Sequence, residues 1–299
     1  MEIYAKSAFS IKNMIVKQQI GCDAIEVQLL DELFKIGGYN SIHQIFDLDQ
    51  FKDMPISVIH SPILYGKRAI ALEQLCDSKD LFLFYNIFEL AEYFGKIQNK
   101  DIIVIIHSET CLKALSEIGN MLYNIVKNVD KLLLMFPHVK LAIENVTPLR
   151  NFDKGPQLCN NFYDDNVILV DYLKKELQTD RIGTVLDTCH AMISEKYISV
   201  LYDALGEEKP DFSLDYYFDR NKEDIMLIHL ADFKGNGYGS GNHGTPFEDK
   251  QKCFDILDLY KKYNYSCPIT LEVCETDFLV SDNYRKQKLM VDEYLQGGN

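Results

Sequence analysis

Apolar residues recur along this chain in two alternating rhythms. Short runs of four to six, rich in β-branched residues, are followed by longer stretches in which apolar positions return every three or four residues. The clearest short run is 101–107, Asp-Ile-Ile-Val-Ile-Ile-His. Its unbroken β-branched character suits a strand buried on both faces. Comparable runs occupy 23–29, 56–60, 140–144, 182–187, 224–229 and 268–272, and a weaker alternation over 1–6 predicts a first strand. Between them, helical spacing predicts helices over 9–20, 40–51, 67–97 (as one or two), 112–136, 162–177, 247–263 and 283–295. Gly21 stops the first of these and Pro55 ends the segment after the second. Residues 149–160 read as a loop. The stretch from His190 to Asn221 reads as a charged helix with a loop insertion, and 235–245 as a glycine-rich loop too polar for the core.

Strand then helix, about eight times over, with no linker to divide two domains, predicts parallel strands joined by helical crossovers. In a chain of 299 residues that pattern fits an α/β fold of the (β/α)8 TIM-barrel type, a single domain over residues 1–299. A doubly wound open sheet is the alternative, less favoured because no strand runs into a GxGxxG turn.

Composition narrows the partners. Hydrophobic residues make up 47% and charged residues 25%, ordinary for a globular protein, and the net charge is -14. Arginine is confined to Arg68, Arg150, Arg181, Arg220 and Arg285, and no basic run occurs. That balance argues against a nucleic-acid backbone as partner, although one basic face would be compatible with it. No apolar run reaches membrane-spanning length and no signal peptide is recognisable, so no membrane partner is expected. Eight scattered cysteines without a CxxC spacing point to free thiols in a reducing cytoplasm. The sequence carries no signal for an oligomeric state.

The chemistry lies where the predicted strands end. They close on His60, His107, Glu144, Asp187, His229 and Glu272, each a polar residue finishing an apolar run. In a barrel these C-terminal ends converge on one mouth, where catalysis takes place. Any one residue has an ordinary explanation. Asp187 can cap the helix after it with His190 in its first turn, His60 can shape a turn, and Glu144 or Glu272 can pair with a lysine at the rim. Six at consecutive strand ends share no such explanation. Burying several carboxylates together is costly without a cation, and carboxylate with imidazole suits Zn²⁺ or Mn²⁺. Cys189 reads as a small residue packed beside a strand tip. His43 and His138 receive no role.

The ordered set Ala142-Ile-Glu-Asn145, Leu186-Asp-Thr-Cys-His-Ala191, Ile228-His-Leu-Ala-Asp232 and Leu271-Glu-Val273 resembles the xylose isomerase-like TIM-barrel superfamily. That superfamily includes sugar-phosphate isomerases and epimerases and the endonuclease IV-like AP endonucleases. In the isomerase and epimerase branch the resemblance implies one divalent metal (Zn²⁺, Mn²⁺ or Mg²⁺) held by Glu144, Asp187, His229 and Glu272. It also implies Glu144 and Glu272 as acid/base groups on opposite faces of a sugar or sugar-phosphate, and His190 on a substrate hydroxyl. In the endonuclease IV branch it implies a three-zinc site that adds His60, His107, His190 and His243. There this sequence departs, because Gly241 stands where that branch has an aspartate, and Asn242 is a poor substitute for a carboxylate ligand.

The expectation is therefore a metal-dependent isomerase or epimerase acting on a small sugar, keto-sugar or polyol derivative. A keto-polyol dehydratase is a close variant, since both begin with proton abstraction beside a carbonyl. The alternatives are an endonuclease IV-like zinc phosphodiesterase and a non-catalytic barrel that senses a sugar or metal. Glu26 and Lys234 are expected to meet the substrate, Lys234 as a cation for a phosphate or an enediolate oxygen.

Overall fold

Eight parallel strands close into a barrel. The computed structural model describes residues 1–30, 47–65, 68–76, 81–108, 119–146, 149–150, 157–158, 165–206, 208–209, 211–235 and 242–297. The barrel strands are β1 (Ile3–Ala8), β2 (Ala24–Gln28), β3 (Ile56–His60), β4 (Ile102–His107), β5 (Val139–Glu144), β6 (Ile182–Asp187), β7 (Ile225–Leu230) and β8 (Ile269–Leu271). Each pairs with its neighbours in sequence order. Closure comes from β1 against β8, with Ile3, Tyr4 and Ala5 opposite Ile269, Thr270 and Leu271. This is the expected (β/α)8 TIM barrel and not the open sheet.

The helices are α1 (Ile11–Ile20), α2 (Leu81–Gln98), α3 (Gly119–Met135), α4 (Asp165–Leu177), α5 (Thr188–Leu205), α6 (Leu214–Asn221), α7 (Lys250–Lys262) and α8 (Asp282–Gly297). Their apolar faces pack on the outward-facing strand residues in two large clusters. One runs from Ile25 and Ile59 through Phe84, Phe88 and Val129, the other from Ile3 through Phe218, Leu257 and Tyr284. No helix among the described residues is long and apolar enough to cross a membrane.

A third cluster joins Tyr4, Ala24, Val58, Ile105, Ala142, Val185 and Leu227, one residue from each of β1 to β7. It fills the inside of the barrel. Side chains on a strand alternate between faces, so the next inward position is two residues on. Those positions are Lys6, Glu26, His60, His107, Glu144, Asp187 and His229, and Glu272 follows Thr270 on β8 in the same way. The apolar layer is thus the floor on which every polar strand-end side chain stands.

Several elements differ from expectation. The 67–97 region is not helical throughout: Leu64–Tyr65 pairs antiparallel with Arg68–Ala69, a 3₁₀ turn spans Leu72–Cys76, and only then does α2 begin. Gln74 shapes that turn, its side-chain oxygen accepting the Ala71 N–H at 2.6 Å. Within 149–160, Leu149–Arg150 pairs antiparallel with Gln157–Leu158. The stretch after Asp187 is more regular than its charge suggested, forming α5 and α6. Helix α7 starts three residues late because Asp249 caps it, accepting the Gln251 N–H at 2.9 Å. Gly21, at φ +103°, ends α1 in the left-handed conformation as expected. The predicted helical residues 40–46, 112–118 and 162–164, with His43 and Gly241, lie outside the described residues.

Candidate metal centre and active site

Local structure at the end of β6 presents Asp187 in two directions at once. Its Oδ1 accepts the His190 N–H at 2.6 Å and so caps α5. Its Oδ2 is buried and makes no hydrogen bond. The cap and the candidate ligand are therefore the same side chain, one oxygen for each. The backbone around it is locked. The Asp187 N–H donates to Asn145 Oδ1 at 2.7 Å, Asn145 Nδ2 donates to the Asp187 carbonyl at 3.0 Å, and Thr188 Oγ1 donates to the His229 carbonyl at 3.0 Å. These bonds tie the ends of β5, β6 and β7 together.

His229 is fully buried and also works on two sides. Its Nε2–H donates to Glu26 Oε2 at 2.9 Å. In the neutral ring that places the lone pair on Nδ1, the nitrogen a metal would take. Nδ1 lies 2.6 Å from Glu272 Oε2, 3.5 Å from Glu144 Oε1 and 3.7 Å from Asp187 Oδ2. Ligand atoms of Glu144, Asp187, His229 and Glu272 lie within 4.8 Å of one another. Asp187 Oδ2 is buried with no hydrogen-bond partner, while the buried His229 Nδ1 and Glu272 Oε2 lie 2.6 Å from each other. A buried oxygen without a partner costs free energy, and three carboxylates converging with one imidazole on a single point fit a cation.

The protonation pattern agrees. Burial works against the charge on Glu144, yet His229 and His107 hold its carboxyl well below the usual range. Burial likewise opposes Glu272, and Lys6 and His229 outweigh it. Burial would drive the His229 imidazole down, but Glu26, Glu272 and Glu144 hold it well above its ordinary value. His190, opposed by burial and supported by Asp187 and Glu144, is pushed up to about 9. Two imidazoles gathering protons mark an excess of buried negative charge, and a divalent cation binding there releases those protons.

His60, His107, His190 and His243 stand around this set. His60 Nδ1–H donates to the Ser61 carbonyl at 2.7 Å and its Nε2 faces Glu144 Oε2 at 3.0 Å. His107 Nε2 lies 3.3 Å from the same oxygen. His60, His107 and Glu144 thus form a second cluster with metal-ligand spacing. His190 Nδ1–H donates to the Asn145 carbonyl at 2.8 Å, and its ring stacks on His243 with centroids 4.5 Å apart. Pairing of Asp232–Phe233 with His243–Thr245 brings His243 in, and Gly244 at φ +68° lets its carbonyl accept the Cys274 N–H at 2.6 Å. Asp187, Cys189 and His243 form a third cluster.

Two residues expected to meet the substrate have protein partners. Glu26 is fully buried and bonded to His229 Nε2, so it supports the candidate metal-ligand histidine from behind. Lys234 has a side chain 54% exposed, and its ammonium pairs with Glu248 at 2.8 Å, so it is not among the converging groups. Among the described residues, the lysine that reaches them is Lys6, with Nζ 2.7 Å from Glu272 Oε1 and 3.3 Å from Glu26 Oε1. The signal that finds Lys6 is the period of two from Tyr4, the alternation that also places Glu26.

No family model matches the chain, and no curated protein matches it by sequence. Solved structures do match. Among them are the IOLI protein with a bound zinc atom (16% identical, 99% of each chain, TM-score 0.58) and the 3-keto-D-glucoside 4-epimerase YcjR from E. coli (12%, 99% of each chain, TM-score 0.55). A third is the probable 3-DHS dehydratase AsbF from Bacillus anthracis (12%, 100% of each chain, TM-score 0.54). At such identities the likeness speaks to the fold. The chain shares with these proteins the fold of a closed (β/α)8 barrel.

Proposed function

We propose that this protein is a divalent-metal-dependent isomerase or epimerase acting on a small sugar, keto-sugar or polyol derivative, a single catalytic domain over residues 1–299 at work in the cytoplasm. The observation that carries this reading is the convergence of ligand atoms from Glu144, Asp187, His229 and Glu272 within 4.8 Å of one another, with Asp187 Oδ2 buried and unpartnered. A bound Zn²⁺, Mn²⁺ or Mg²⁺ supplies Lewis acidity there, stabilising negative charge on substrate oxygens. Glu144 and Glu272 carry the proton, one removing it beside the carbonyl and the other returning it on the opposite face or the neighbouring carbon. His60 and His107 hold Glu144 through Oε2, and Glu26 aims His229. His190, its Nδ1–H committed to Asn145, turns Nε2 to a substrate hydroxyl. Likeness of fold to a 3-keto-glucoside epimerase and a probable dehydratase supports proton abstraction as the shared first step.

The test is deuterium incorporation from D₂O into a panel of ketoses, aldoses and keto-polyols by metal-loaded protein. Glu144→Gln and Glu272→Gln should each lower turnover at least about 100-fold, the scale of a lost acid/base group, with the circular dichroism unchanged. Normal turnover in both variants sinks the assignment.

A second reading, a multinuclear zinc phosphodiesterase of the abasic-site endonuclease kind, is favoured by the other two clusters, His60/His107/Glu144 and Asp187/Cys189/His243. Zinc-dependent cleavage of an abasic duplex, lost in His107→Ala, would establish it in place of the first.

A further inference from the structure

The mouth holds a cation to which nothing above gives a task. Lys6 stands one inward position above Tyr4 on β1, and its side chain is only 13% exposed. Its Nζ donates to Glu272 Oε1 at 2.7 Å and lies 3.3 Å from Glu26 Oε1. Glu272 is thereby divided, Oε1 to Lys6 and Oε2 to His229 and the cation position. An ammonium has three N–H donors, and among the described residues two carboxylates occupy it. A cavity of about 270 Å³ opens beside this group, lined by Lys6, Gln28, His243, Glu272 and Phe278 among others. Lys6 is therefore at once largely shielded from solvent, paired with an acid/base candidate, and in the wall of the space that leads to it.

We propose that Lys6 contacts the substrate through its remaining N–H, at the oxygen that becomes negative when the adjacent carbon loses its proton. This rests on the reading of the site as a proton-transfer centre. The proton goes to a carboxylate and the electron pair moves onto the carbonyl oxygen. An ammonium held in place beside that oxygen stabilises the charge as it develops. Its two carboxylate partners hold it in place beforehand, so no reorganisation is needed during reaction. The site accordingly selects for an oxyanion at that position over a neutral hydroxyl.

Matched pairs of four- to six-carbon aldonates and alditols test this by calorimetry on metal-loaded protein. The aldonate carboxylate stands in for the planar, charged end of the reacting sugar, and the alditol lacks the charge. Lys6→Met should weaken the aldonate about ten- to a hundredfold, the scale of a lost hydrogen bond to a charged group, with alditol binding and metal affinity unchanged. Lys6→Arg should keep most of the aldonate affinity. Lys6→Gln gives the same readout should the methionine variant not fold. Equal weakening of both ligands, no weakening of either, or loss of metal binding in the neutral variants would overturn the proposal and leave Lys6 as a counter-ion of Glu272. If wild-type protein with metal bound takes up neither ligand of any pair, the sugar reading itself falls, and this assignment with it.

Discussion

At the scale of the residue, the site depends on which atom of each side chain faces inward. Asp187 spends one oxygen on the α5 cap, Glu272 one on Lys6, and His229 one nitrogen on Glu26, each leaving a second atom for the centre. Glu26 is the least visible of these because it lies beneath the ligand it orients. Glu26→Ala should lower divalent-metal affinity about 10- to 100-fold with the fold unchanged, measured by titration of metal-free protein. Metal affinity equal to wild type would show that His229 holds its tautomer unaided. Much of this was legible in sequence. Glu144, Asp187, His229 and Glu272 each interrupt an apolar run at its end, a contrast that periodicity detects. Lys6 was not, since its strand alternates weakly and a lysine at a strand end is ordinarily solvated. Lys234 drew attention by its place in a polar loop, and a lysine in a loop finds water or a surface carboxylate, here Glu248.

At the scale of the element, strands were easier to read than the segments between them. The barrel demands consecutive buried positions, so 101–107 and 182–187 announced themselves. Short pairings such as Leu64–Tyr65 with Arg68–Ala69 leave too few residues for a period to show. Close approach is invisible to periodicity as well. Gly183 on β6 packs where a Cβ would collide with the Asp224 carbonyl, and the β6–β7 register shifts just beyond it, between Thr184 and Val185. Helix docking adds a testable pH dependence. Glu92 on α2 accepts from the His138 ring at 2.9 Å and from the His138 backbone N–H at 2.9 Å. Burial opposes its charge, but these bonds and Lys96 hold its carboxyl below the ordinary value. A carboxyl lower in the folded than the unfolded state stabilises at neutral pH, and the contribution fades as pH falls below the usual carboxylate range and through the folded value. Glu92→Gln should cost about 1–3 kcal/mol at pH 7. The gap from wild type in thermal melts should close progressively below about pH 4. A gap independent of pH would refute this account of Glu92.

At the scale of the whole molecule, the two ends of the chain must meet to close the barrel. Beyond the β1–β8 pairing, α1 contributes Lys17, whose ammonium lies 3.0 Å from Glu275 Oε1, both side chains 2% exposed. It also sits over the Tyr284 ring, 4.4 Å from its centroid. Glu275 in turn accepts the backbone N–H groups of Asn283 and Tyr284 at the start of α8. The pair fastens the last helix to the first just past Glu272. Lys17→Met should destabilise by about 3–5 kcal/mol, because it strands a buried carboxylate. Lys17→Met with Glu275→Gln should recover part of that, both read by denaturant unfolding. A single variant as stable as wild type would show the closure to rest on strand pairing alone.

The central claim is that the polar ends of β5 to β8 are built to hold a divalent cation. The direct measurement is metal content of gently purified protein by elemental analysis, with the ion located by anomalous scattering in crystals. The account predicts a divalent ion bounded by Glu144, Asp187, His229 and Glu272. A protein that is metal-free as isolated and takes up no Zn²⁺, Mn²⁺ or Mg²⁺ at that position when titrated would contradict it.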